Sequence, residues 1–130
     1  MHAEELAKTI DHTLLRPDAT TADIERLCAE AVHFHFASVC ILPYWVPVAA
    51  RALKGSDVQV CCVISFPHGA DSTRAKVAAV EEAVAQGAGE VDIVMNIPAM
   101  LSGEVMFVRD ELRRVVHAAR MNAVNSGKGN

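Results

Sequence analysis

Apolar positions along the chain switch between two periods. In "ADIERLCAEAVHF", Ile24, Leu27, Cys28 and Ala31 recur at helical spacing, with Thr20 or Thr21 placed as N-cap. "FASVCIL", 36–42, is a short apolar run of strand formers. Pro43 and Pro47 bracket the start of a second helix, "VPVAARALKG", with Gly55 as its C-cap. "VQVCCVISF", 58–66, reads as the next strand. "PHGADS" is a turn that offers Asp71 or Ser72 as a cap. "TRAKVAAVEEAVAQGA" follows as an amphipathic helix, with Val77, Val80 and Val84 on one face, charges on the other, and Gly87 and Gly89 at its end. "EVDIVMN", 90–96, is a third strand and "IPAMLSGE" a turn. A further helix is predicted over roughly 104–119, with Val105, Val108, Leu112, Val115 and Val116 as its stripe.

After a leading helix the order is therefore β-α-β-α-β-α. Strands joined through helices are parallel with right-handed crossovers. Nearly continuous apolar strands fit a sheet covered on both faces. The expected fold is α/β: a leading helix plus three β/α units over residues 1–120, part of a TIM-type barrel. Three parallel strands are too few to close a barrel and leave two open edges. The tail "RMNAVNSGKGN" is polar and rich in Gly and Asn, and residues 121–130 are expected to be frayed or disordered.

Composition narrows the function classes. The 130 residues are 52% hydrophobic and 22% charged, enough for one domain with a real core. The net charge of −4 gives no basic footprint, so neither nucleic acid nor an anionic membrane is an expected partner. No apolar run reaches the roughly 20 residues of a membrane helix. "MHAEELAKTI" lacks the apolar core of a signal peptide, which points to the cytoplasm. Cys28, Cys40, Cys61 and Cys62 form no Cys-x-x-Cys pair and read as reduced, buried thiols. No Gly-x-Gly-x-x-Gly or Gly-x-x-x-x-Gly-Lys loop follows the first predicted strand, so a nucleotide site has little support.

Asp92 stands in the middle of the apolar "GEVDIVMN". By strand alternation it shares one face with Val94 and Asn96, while Val91, Ile93 and Met95 share the other. An unpaired carboxylate in an apolar interior is very costly. Asp92 is thus either a structural acid paired with a neighbouring donor or a group facing a barrel interior, with Asn96 near the carboxyl end where active sites collect. Asp11, in "TIDHTLLRPDAT", reads as a turn acid or as part of a lid over the barrel mouth. Cys40 shares its face with Ser38 and Leu42 and is either a packed core thiol or a pocket thiol. His68 follows the second strand as a turn residue or a site-lining one. His2, His33, His35 and His117 read as surface histidines, since none has the i, i+4 partner of a helical metal site.

Taken together, "IDHTLLRPDAT", "FASVCILPYWVPVAARAL", "VISFPHGADSTRAKVAAVEEAVAQGAGEVDIVMNI" and "LSGE" resemble the N-terminal half of deoxyribose-phosphate aldolase, from about Ile10 to about Ala119. The resemblance implies a TIM-type barrel that reversibly cleaves 2-deoxyribose 5-phosphate to glyceraldehyde 3-phosphate and acetaldehyde. It implies a class I mechanism through a lysine Schiff base, with no metal and no other cofactor. Its partners would be small phosphorylated sugars and aldehydes. Asp92 resembles the family's aspartate that relays protons beside the lysine. Cys40 resembles a thiol near the aldehyde, and Asp11, Thr13 and Leu15 resemble residues bordering the pocket.

The family carries its Schiff-base lysine on the sixth strand and a helper on the seventh, with a phosphate site after the seventh and eighth. None of these has a counterpart here. Lys8 falls on the leading segment, Lys54 and Lys76 on helices and Lys128 in the tail, none on a strand facing Asp92. Exposed lysines are protonated at neutral pH and poor nucleophiles. The chain alone is expected to be inactive. Two other readings stand beside the aldolase. One is an interaction module that self-associates or complements a second fragment through its open edges. The other is an enzyme of different chemistry built on Asp92 and Cys40.

Overall fold

A computed structural model describes residues 1–125. Helix α1 (Ala3–Ala7) leads into β1 (Asp11–Leu14), followed by α2 (Thr21–Phe34), β2 (Ser38–Ile41), α3 (Val46–Ala52), β3 (Gln59–Ile64), α4 (Thr73–Gln86), β4 (Glu90–Ile93), α5 (Ile97–Leu101) and α6 (Val105–Asn125). The sheet is wholly parallel, in the order β1-β2-β3-β4. A sequential order with right-handed crossovers keeps every helix on the same side, as in a barrel sector. A doubly wound sheet would reverse direction and cover both faces.

The helix-facing side is the core. Val39, Ile41, Val60, Cys62 and Ile64 pack there against Ile24, Leu27, Cys28 and Ala31 of α2, Val46 and Ala49 of α3, Val80, Ala83 and Val84 of α4, and Val115 and Ala118 of α6. Local chemistry sets the helix ends. Thr20 and Asp23 close a reciprocal capping box on α2, and Ser72 accepts from the Ala75 amide to cap α4. His35 ends α2 in the left-handed conformation, φ 55°. No helix of the described residues is long and apolar enough to cross a membrane.

Four features differ from the sequence expectation. The sheet has four strands, not three, because the turn expected at Asp11 is strand β1, paired with β2 from Asp11↔Ser38 to Leu14↔Ile41. An edge strand with its inner face partly wet needs no apolar run, so "DHTL" gives little signal. "IPAML" is the short helix α5, started by Pro98 in its first turn and by the Asn96 side chain, which accepts from the Ala99 amide at 3.0 Å. Val105 and Val116 are exposed, because the stripe of α6 runs through Val108, Glu111, Val115 and Ala118. Finally, α6 continues through Asn125, past the boundary predicted at residue 120, while residues 126–130 of the predicted tail lie outside the described residues.

Candidate active site on the open face of the sheet

Among the described residues no helix packs on the second face of the sheet. Register places its side chains in rows: Asp11 beside Ser38 and Gln59, then Thr13, Cys40, Cys61 and Glu90, then Val63 beside Asp92. Leu15 and Leu42 pack on Cys40, Cys61 and Val63, giving a small apolar floor. All five residues singled out from sequence, Asp11, Thr13, Leu15, Cys40 and Asp92, therefore belong to this one surface. Asp11 accepts a hydrogen bond from the buried Ser38 hydroxyl at 2.7 Å. The Cys40 thiol donates to Asp92 Oδ2 across 3.7 Å. One donor atom each from Cys40, Cys61 and Asp92 lie within 4.8 Å of one another.

Asp92 faces the barrel interior as its parity predicts, but it is exposed, not buried. Among the described residues nothing stands opposite β4, so water meets the carboxylate. Among the described residues no lysine or arginine pairs with it. Asn96 does not continue the Asp92 row, since β4 ends at Ile93 and Asn96 serves α5. His68 is exposed in the loop after β3.

Electrostatically the face is acidic. Burial, then the charges of Asp11 and Asp92, push the Glu90 carboxyl above the usual range. Burial, then Asp92, raises the Cys40 thiol, and Cys61 is raised further by burial and by Cys40. On the opposite face, burial lifts Cys28 and Cys62 to about 11. All four thiols are therefore held protonated near neutral pH.

Among the described residues the lysines fall away from this face, though not all as expected. Lys8 pairs with Asp57. Lys54 lies just beyond α3 instead of on it. Lys76 is not a surface residue: it is 1% exposed, its Nζ 2.6 Å from Glu111 Oε1 and 3.0 Å from the Val94 carbonyl oxygen. Glu111 Oε2 also accepts from the Thr73 hydroxyl at 2.7 Å. The signal was present in the sequence. Lys76 precedes Val80 by one helical turn on the buried stripe of α4, and Glu111 interrupts the stripe of α6, so two opposite charges occupy facing core positions. Cys61, Ser38 and Glu90 were missed as site residues, and strand parity applied to β2, β3 and β4 finds all three.

Comparison with known proteins agrees with the fold. The model of the DeoC/LacD family aldolase matches residues 6–125. A deoxyribose-phosphate aldolase of Clostridium perfringens is 48% identical over 124 residues, covering 95% of this chain and 55% of its own length. One from Caldicellulosiruptor saccharolyticus is 48% identical over 120 residues, covering 92% and 54%. The chain thus spans about half the length of these curated relatives. Among solved structures, the aldolase QR15 superposes with a TM-score of 0.85 at 35% identity, covering 89% of this chain and 52% of QR15. The deoxyribose phosphate aldolase of Aeropyrum pernix, described as a tetramer, gives 0.71 at 25% identity, covering 93% and 62%.

Proposed function

Since the chain belongs to the DeoC/LacD family of aldolases, we propose that its open sheet face is one part of a deoxyribose-phosphate aldolase site. The reaction is the reversible cleavage of 2-deoxyribose 5-phosphate to glyceraldehyde 3-phosphate and acetaldehyde through a lysine Schiff base. The supporting observation is the convergence of Asp92, Cys40, Asp11 and Thr13 on the one face that no helix covers. In this reading Asp92 takes and returns the proton of the substrate hydroxyl as the carbon–carbon bond breaks and forms. Cys40 lies near the aldehyde, and Asp11, Thr13 and Leu15 border the pocket. The Schiff base needs an uncharged amine beside Asp92, which none of Lys8, Lys54 and Lys76 supplies. The phosphate site and that amine come from sequence equivalent to the remaining half of the relatives. Four protonated, unpaired thiols suit a reducing cytoplasm.

Two measurements test this. Borohydride reduction of the purified chain with acetaldehyde should give no mass adduct above a heat-denatured control, and a stoichiometric adduct on one lysine would overturn the inactivity of the chain alone. Joined to the C-terminal half of the C. perfringens aldolase, the chain should cleave 2-deoxyribose 5-phosphate, and Asp92→Asn should lower that rate at least about a hundredfold. A folded hybrid indifferent to Asp92→Asn defeats the assignment.

One observation favours a second reading. The outer edge of β4 has no strand partner among the described residues, and the floor beside it is apolar. A module that pairs through this edge forms a defined oligomer by sedimentation without any activity.

A further inference from the structure

Cys40 and Cys61 are in register on adjacent parallel strands and point to the same, open face. Parallel strands lie about 4.8 Å apart, so the two thiols are held side by side by backbone pairing, independent of any loop. Asp92 reaches in from the third strand of the group, its Oδ2 3.7 Å from Cys40 Sγ. A tetrahedral ion with sulfur at about 2.3 Å and oxygen at about 2.1 Å sets those two ligands roughly 3.6 Å apart, close to the spacing already present. The two cysteines are 4% and 1% exposed, whereas Asp92 is open to solvent. Cys62 points to the opposite face and Cys28 belongs to the helix-side core, so neither can join.

We propose that Cys40, Cys61 and Asp92 form a three-ligand site for a soft divalent cation of the zinc or cadmium class, with its fourth position open to water. Two sulfur donors select zinc or cadmium over magnesium or calcium, which favour all-oxygen shells. Binding exchanges two S–H bonds for two metal–sulfur bonds and releases two protons to solvent, with no change of oxidation state. The Glu90 carboxylate, in the row of Cys61, adds negative charge beside the ion. Leu15, Leu42 and Val63 keep water from the sulfurs. The site shares Cys40 and Asp92 with the aldolase reading but needs no substrate and no lysine, so it is tested independently of that reading. Where both hold, the bound ion occupies the ground assigned to the aldehyde and excludes it.

The test is a cadmium titration of the reduced chain, followed by thiolate-to-metal absorption in the near ultraviolet. One equivalent is expected to saturate the signal. Cys61→Ser should weaken binding at least about tenfold, and Asp92→Asn should weaken it while keeping the absorption band. The double variant Cys28→Ala/Cys62→Ala, which keeps only Cys40 and Cys61, should bind as the parent does. In the unaltered chain, cadmium should slow iodoacetamide alkylation of Cys40 and Cys61 relative to magnesium, a readout that does not depend on any variant folding. Unchanged cadmium affinity of a folded Cys61→Ser chain, or equal alkylation rates with the two metals, overturns the proposal.

Discussion

Glu111→Ala lowers the stability of the chain by about 3–5 kcal/mol, read as a fall in the urea midpoint at constant slope. The substitution leaves the Lys76 ammonium in a site where it is 1% exposed, with the Val94 carbonyl as its remaining acceptor. It also strands the Thr73 hydroxyl. A buried charge that has lost its counter-ion is the costliest state such a site can adopt, so the single change is far worse than the removal of both charges. The double variant Lys76→Met/Glu111→Leu should recover most of the loss, because an apolar pair of similar volume has no desolvation penalty to offset. If Glu111→Ala shifts the midpoint by less than about 1 kcal/mol, the pair is not the organising contact between α4 and α6 that its burial implies. The effect should reach the open face as well. Lys76 holds the carbonyl of Val94, two residues past Asp92, and so ties the end of β4 to the helices behind it.

Gly69→Ala is the second large effect, about 2–4 kcal/mol from two separate sources. Gly69 has φ +67°, a conformation other residues adopt with strain. A Cβ there would also run into the backbone oxygen and carbon of Met95 and approach the Val94 side chain. The loop after β3 packs directly on the end of β4, with the Gly69 amide donating to the Ser65 carbonyl at 2.7 Å. Gly55→Ala is the control. Its φ is +80° but nothing lies within 4 Å, so only the conformational part applies, about 1–2 kcal/mol. A Gly69→Ala midpoint equal to that of Gly55→Ala would show that the loop moves away from β4 at no cost.

What the sequence made legible follows from which physical signal each element carries. The outward alternation of Val39, Ile41, Val60, Cys62 and Ile64 is a packing signal, and packing is local enough to read. The same parity placed Asp92 on the face without helices, whereas Cys40, left open between core and pocket, lies there too. Strand β1 escaped because an edge strand with a wet face can be spelled with Asp11, His12 and Thr13. Lys76 escaped because its charge was weighed above its position on the buried stripe of α4. The expected burial of Asp92 failed for a different reason. Parity fixes the direction in which a side chain points, but the dryness of the place it points into depends on strands opposite, and the described residues form four strands of one sheet.

The strand order has a consequence in time. Each strand pairs with its nearest neighbour in sequence, as Asp11 with Ser38, Ser38 with Gln59 and Cys61 with Glu90. Every pairing therefore closes a loop of roughly 20–30 residues, a small and nearly constant entropic step. A chain emerging from the ribosome can add one β/α unit at a time to a growing edge, with each helix covering the new strand as it arrives. The inner-face residues Asp11, Cys40 and Asp92 are then laid down in order, like teeth along a closing zip, well before any residue synthesised later could meet them.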